Sequence, residues 1–140
     1  MKYFKLIVIL FTSLNGVSQK SNISSDSIQE IVFNAQTRGK LENITISDKA
    51  IFYKTYETSK TFGIDSDQKK QLTDLIKKID LQNISNIKAP SNKRAFDGAL
   101  QATLSIKTES NNYVSSQFDD DNPPKKLKVL IELMKTLCKE

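Results

Sequence analysis

Residues 98–108 read Gly98-Ala99-Leu100-Gln101-Ala102-Thr103-Leu104-Ser105-Ile106-Lys107-Thr108. Leu100, Ala102, Leu104 and Ile106 alternate with Gln101, Thr103, Ser105 and Lys107, a period of two. Successive side chains of a strand point to opposite faces, so the pattern predicts a strand with one buried and one wet face. The next four residues, Glu109-Ser110-Asn111-Asn112, supply a hairpin turn, and residues 113–118 return alongside.

Upstream, residues 28–35 carry the apolar run Ile31-Val32-Phe33 and read as a first strand. Arg38-Gly39 marks a turn. Residues 41–47 alternate again, with Ile44 and Ile46 on one side and Asn43 and Thr45 on the other. After Asp48-Lys49, residues 50–58 are rich in aromatic and β-branched side chains and read as a third strand. These segments form an antiparallel meander.

Two helices complete the layout. Asp65 or Ser66 caps the first, with Gln68 placed for a capping box, and Leu72, Leu75, Ile76 and Ile79 fall at helical spacing. Leu81, Ile84 and Ile87 continue the stripe irregularly as far as Pro90. The second helix follows Pro123-Pro124, residues that suit a first helical turn, whose backbone donors lack intrahelical acceptors. Its stripe is Leu127, Leu130, Ile131, Met134, Leu137 and Cys138. The predicted fold class is α+β: a roughly five-stranded antiparallel sheet with two helices packed on one face, in the order β-β-β-α-β-β-α.

The first eighteen residues read differently. Lys2 and Lys5 precede the apolar run 6–11, and Gly16 and Ser18 suit a cleavage site before Gln19. Residues 1–18 are therefore expected to be a signal peptide, residues 19–27 a flexible lead-in and residues 28–140 a single domain. Cleavage removes two lysines and no acid, taking the formal net charge from +5 to +3. The expected location is secreted or periplasmic, with no permanent membrane span, because a span needs about 20 apolar residues.

Composition removes whole classes of chemistry. The chain has no His and one Cys, which excludes His-based triads, His zinc sites and intrachain disulfides. Two arginines among 140 residues are thin for gripping phosphates or base edges, so nucleic acid is not an expected partner. Gly39, Gly63 and Gly98 are isolated and form no phosphate cradle. No catalytic, cofactor-binding or metal-ligating residue is assigned, and no cofactor is expected.

Some residues keep two readings. Asp119-Asp120-Asp121 either cap and electrostatically favour the second helix or supply oxygen ligands for calcium. Tyr53, Tyr56 and Tyr113 are either packing residues or exposed protein contacts. Arg38 is either a contact residue or a structural anchor to Asp97 or Asp119. Cys138 is either a small buried hydrophobe or a thiol that pairs between chains.

The stretches Ala35-Gln36-Thr37-Arg38-Gly39, Arg94-Ala95-Phe96-Asp97-Gly98-Ala99-Leu100, and Ser116-Gln117-Phe118-Asp119 through Asn122-Pro123-Pro124 resemble small exported proteins of flavobacteria and their relatives. The likeness covers most of residues 31–137 and implies an envelope or secreted location, with no activity attached. More distantly, the layout resembles emfourin, a protein inhibitor of thermolysin-like metalloproteases. The matching positions are Arg38-Gly39, residues 72–79, Phe96-Asp97, residues 103–106 and residues 124–137. A second glycine of that family is Lys40 here, and its N-terminal inhibitory segment is poorly matched. The expected function is a non-catalytic, monomeric domain that binds another envelope or secreted protein or serves a structural role. Inhibition of a secreted metalloprotease is the alternative.

Overall fold

The computed structural model describes residues 26–139. The expected signal peptide and cleavage site lie outside the described residues, as does most of the expected lead-in. The described elements, in chain order, are β1 (Ile28–Thr37), β2 (Lys40–Ser47), β3 (Ala50–Lys54), β4 (Ser59–Gly63) and α1 (Ser66–Lys77). Two 3-10 helices (Leu81–Asn86 and Lys93–Phe96) then precede β5 (Gln101–Thr108), β6 (Asn112–Val114), β7 (Phe118–Asp119) and α2 (Lys125–Leu137).

The fold is α+β, with an antiparallel sheet and helices packed on it. The sheet has seven strands rather than five, in the order β4-β3-β2-β1-β5-β6, with β7 paired to β5 beyond the short β6. Two strands account for the difference. The expected third strand breaks at Thr55, whose backbone N–H bonds the Thr58 carbonyl at 2.8 Å. The Thr55 hydroxyl also accepts from the Glu57 and Thr58 amides. A Thr side chain makes this turn without glycine or proline, so the run appears continuous in sequence. The expected return strand breaks at Ser115, which satisfies both Leu104 backbone groups, one with its amide and the other with its hydroxyl.

β1 lies inside the sheet, paired to β2 on one side and β5 on the other. Its Ile31, Phe33 and Ala35 are buried beside Ile44 and Ile46 of β2, Ile51 of β3, and Ala102, Leu104 and Ile106 of β5. Leu72 and Ile76 of α1 join this core, together with Leu127, Leu130, Ile131, Met134 and Leu137 of α2. Burying a single large aliphatic side chain contributes about 1.5–3 kcal/mol, so two such helical stripes fix which sheet face is covered.

Local signals set the helix ends. Asp65 is the N-cap of α1, its carboxylate accepting from the Gln68 backbone amide at 2.8 Å while the Gln68 Oε1 accepts from the Asp65 backbone amide. Pro124 is the N-cap of α2 and no side chain caps that helix. The three aspartates before it therefore have another task. Asp26 and Ser27, the end of the expected lead-in, are held to the β5–β6 turn. Asp26 accepts from Thr108 and Ser110, and the Ser27 hydroxyl donates to Glu109 at 2.6 Å.

Candidate functional site

Asp119 is completely buried at the start of the turn after β7. Its Oδ2 accepts from the Ser91 hydroxyl at 2.6 Å and the Lys93 amide at 2.8 Å. Its Oδ1 accepts from the Arg94 amide at 3.1 Å and the Arg94 guanidinium at 3.0 Å. Burial alone would raise this carboxyl's pKa, but the bonds from Ser91, Arg94 and Lys93 outweigh it and hold Asp119 well below the usual carboxylate range.

The two following acids work on the same segment. The Asp120 carboxylate accepts from the Leu100 amide at 2.7 Å, and the Asp120 amide donates to the Leu100 carbonyl at 3.1 Å. Asp121 pairs with the Lys93 ammonium. Three consecutive acids thus fasten residues 91–100 at separate points, and their oxygens do not converge. Among the described residues, no group of three or more acidic or Cys side chains is gathered to hold a metal ion. These aspartates thus anchor a distant segment, and none of them caps α2 with a side-chain bond.

The fastened segment carries an exposed aromatic at its tip. Phe96 is 85% exposed, the most exposed of the large hydrophobic side chains among the described residues. Immediately after it, Asp97 takes a left-handed conformation (φ 55°), and the Gly98 amide bonds the Lys93 carbonyl at 2.9 Å. This six-residue closure resembles the end of a helix in which a left-handed residue turns the chain back. A Cβ on Gly98 would lie 3.2 Å from the Lys93 carbonyl oxygen. Glycine is therefore needed for close approach, while Asp97 carries the unusual backbone angle.

Strand direction brings other residues to this end of the sheet. The β1–β2 turn, the β3–β4 turn and the start of β5 all lie there, since Gln36 pairs with Gln101 and Asn43 with Lys54. Arg38, exposed in the first turn, shares a shallow depression of about 370 Å³ with Asp97, Gly98 and Leu100. A second depression of about 420 Å³ shares Lys40 and Leu100 with the first, and holds Tyr53 and Tyr56. Tyr56 is 63% exposed in the β3–β4 turn.

The other two expected tyrosines pack against the core. Tyr53 is half-buried on the covered sheet face, leaving its neighbour Phe52 exposed on the open face. Tyr113 is likewise packed against the core, and its hydroxyl accepts from Gln82 at 3.3 Å, far from the Arg38 turn. Arg38 joins none of the ion pairs among the described residues. The arginine that anchors to Asp119 is Arg94.

Sequence reasoning thus misses Arg94 and Phe96 as site residues. Both lie in the quoted stretch 94–100, where a large aromatic stands outside the alternation that begins at Leu100. That mismatch is the available signal for Phe96. Nothing local signals Arg94, because its partner is 25 residues away.

Cys138 is half-buried, and its thiol donates to the Met134 carbonyl at 3.3 Å. Burial, reinforced by Glu42, pushes its pKa up to about 11. Among the described residues, no helix is long and apolar enough to cross a membrane. No family model, curated protein or solved structure gives a match to this chain.

Proposed function

We propose that this chain is a non-catalytic binding module of the bacterial envelope or secreted space, presenting Phe96 to another protein, with Arg38 and Tyr56 at the edge of the contact. One observation carries the reading: an 85%-exposed phenylalanine on a segment whose backbone is fixed on both sides by buried or half-buried carboxylates. Aromatic anchors dominate binding energy at interfaces. Fixing the loop beforehand reduces the ordering cost of association. Arg38 and Tyr56, residues also enriched at interfaces, flank the same end.

The inhibitor alternative asks for a projecting chain before Arg38. Residues 28–37 form an interior strand paired on both sides, and the chain before residue 26 lies outside the described residues, so the Phe96 segment is the contact the described residues offer.

The test is capture of partners from envelope and culture-fluid extracts by residues 19–140, followed by affinity measurement on the purified pair. Phe96→Ala should weaken a genuine partner by about tenfold or more, corresponding to an anchor worth roughly 2 kcal/mol. Equal affinity of the wild-type and Phe96→Ala chains would refute the reading. A recovered metalloprotease whose activity falls at one-to-one stoichiometry, without dependence on Phe96, would replace it with the inhibitor reading.

A further inference from the structure

A different groove lies beside the Phe96 segment, with a volume of about 570 Å³, between the first 3-10 helix, residues 87–94 and the β6–β7 connection. Arg94 forms one wall. Its Nη1 is engaged twice, by Asp119 and by the Ser91 carbonyl at 2.8 Å. Its Nε and Nη2 have no acceptor among the described residues, where no buried side-chain nitrogen lacks a partner. Those donors therefore reach solvent, on a guanidinium whose orientation is already fixed.

The rest of the lining fits the same ligand chemistry. Lys88 is exposed there and belongs to no ion pair among the described residues. Among the described residues no acidic side chain lines the groove, and Asp119, bound to Arg94, is fully buried. Ser85, Asn92 and Gln117 add a hydroxyl and two amides, none of which makes a side-chain hydrogen bond among the described residues, and Pro90 adds an apolar surface.

We propose that this groove binds a small anionic carbohydrate, a sugar acid or sugar phosphate, whose oxyanion is taken by the free edge of Arg94 with Lys88 beside it. A guanidinium offers two parallel N–H donors to a carboxylate or phosphate, a geometry that an ammonium lacks. The amides and hydroxyl suit the ligand's hydroxyl groups, and Pro90 suits a ring face. This site does not depend on Phe96 or on the partner proposed above.

Titration of the ¹⁵N-labelled chain with glucuronate, glucose 6-phosphate and glucose tests it. At least one anion should give saturable amide shifts confined to residues 85–94 and 116–117, with a Kd of about 1 mM or below. Which anion binds distinguishes carboxylate from phosphate. Glucose should bind at least tenfold more weakly, roughly the contribution of a charge-assisted bond. Lys88→Ala, at an exposed position, should weaken the anion several-fold, and Arg94→Lys should weaken it about tenfold. Phe96→Ala should leave it unchanged, so this site can stand or fall apart from the protein contact. Absence of saturable shifts with both anions, equal binding of glucose, or unchanged affinity in Lys88→Ala would overturn the proposal, even if Arg94→Lys fails to fold.

Discussion

Asp119 does at one position what a disulfide or metal does elsewhere. Four donors from Ser91, Lys93 and Arg94 meet one carboxylate with no exposed surface. Asp119→Asn keeps the volume but puts an NH2 group against donors, leaving Arg94 without its carboxylate. We expect a loss of about 2–4 kcal/mol in urea unfolding at pH 7, since buried donors lose their acceptor. The pH dependence has a definite sign. The folded-state pKa lies below the ordinary 3.8, so this contribution is complete above the unfolded value and is lost as pH falls through the folded one. The wild-type stability should therefore fall more steeply below pH 4 than that of Asp119→Asn, as measured by unfolding at a series of pH values.

Cys138 gives a second check at this scale. A thiol pushed up to about 11 is almost entirely protonated near neutrality, and thiolate is the reactive form. Alkylation by iodoacetamide at pH 7.5 should be at least tenfold slower in the folded chain than in urea, a ratio the pKa difference from about 8.5 supports.

At the scale of elements, the legible parts are those whose signals are local. The alternation from Leu100 to Ile106 places β5, and the Asp65–Gln68 box places the start of α1. Asp65→Ala should cost about 1 kcal/mol by removing that cap, detectable as a lower thermal midpoint. The division between β3 and β4 was illegible because Thr55 and Thr58 turn the chain with side-chain bonds and no breaker residue. Leu81 and Ile84, three apart, suit a 3-10 helix as well as an irregular α-helical stripe. Asp119–Asp121 mislead for the opposite reason. Their place before a helix suggests capping, whereas their partners lie 20 to 28 residues back. Gly98→Ala belongs to this scale too. Its new Cβ meets backbone rather than a flexible side chain, so we expect about 1–2 kcal/mol of destabilisation and faster amide exchange at Gly98 and Leu100.

Over the whole molecule, the antiparallel sheet sorts its surfaces. One face is covered by α1, α2 and the first 3-10 helix. The other is mostly polar, with Asn34 of β1, Asn43 and Thr45 of β2, and Thr103 and Ser105 of β5 beside Val32, and with Phe52 and Val114 exposed near its sides. Turns at one end bring Arg38 and Asp97 to one depression and Tyr56 to the adjoining one, with Phe96 next to Asp97 in the chain, an arrangement that depends on strand direction and is invisible in any short stretch. The sequence separately nominates Arg38, Tyr56, Asp97 and Asp119. The fold brings the first three to one end and puts Asp119 underneath as support. Tyr53 and Tyr113 go to the covered face because alternation in β3 and β6 points them there.

The most direct measurement is site-specific photo-crosslinking in the cell that makes the protein, with benzoylphenylalanine placed at Phe96 and, separately, at Val129 on the outer side of α2, which is 58% exposed. If Phe96 is the contact, position 96 gives a discrete protein adduct, absent from position 129 and lost when Asp119→Asn releases the segment. No adduct at 96, or the same adduct from both positions, would contradict it.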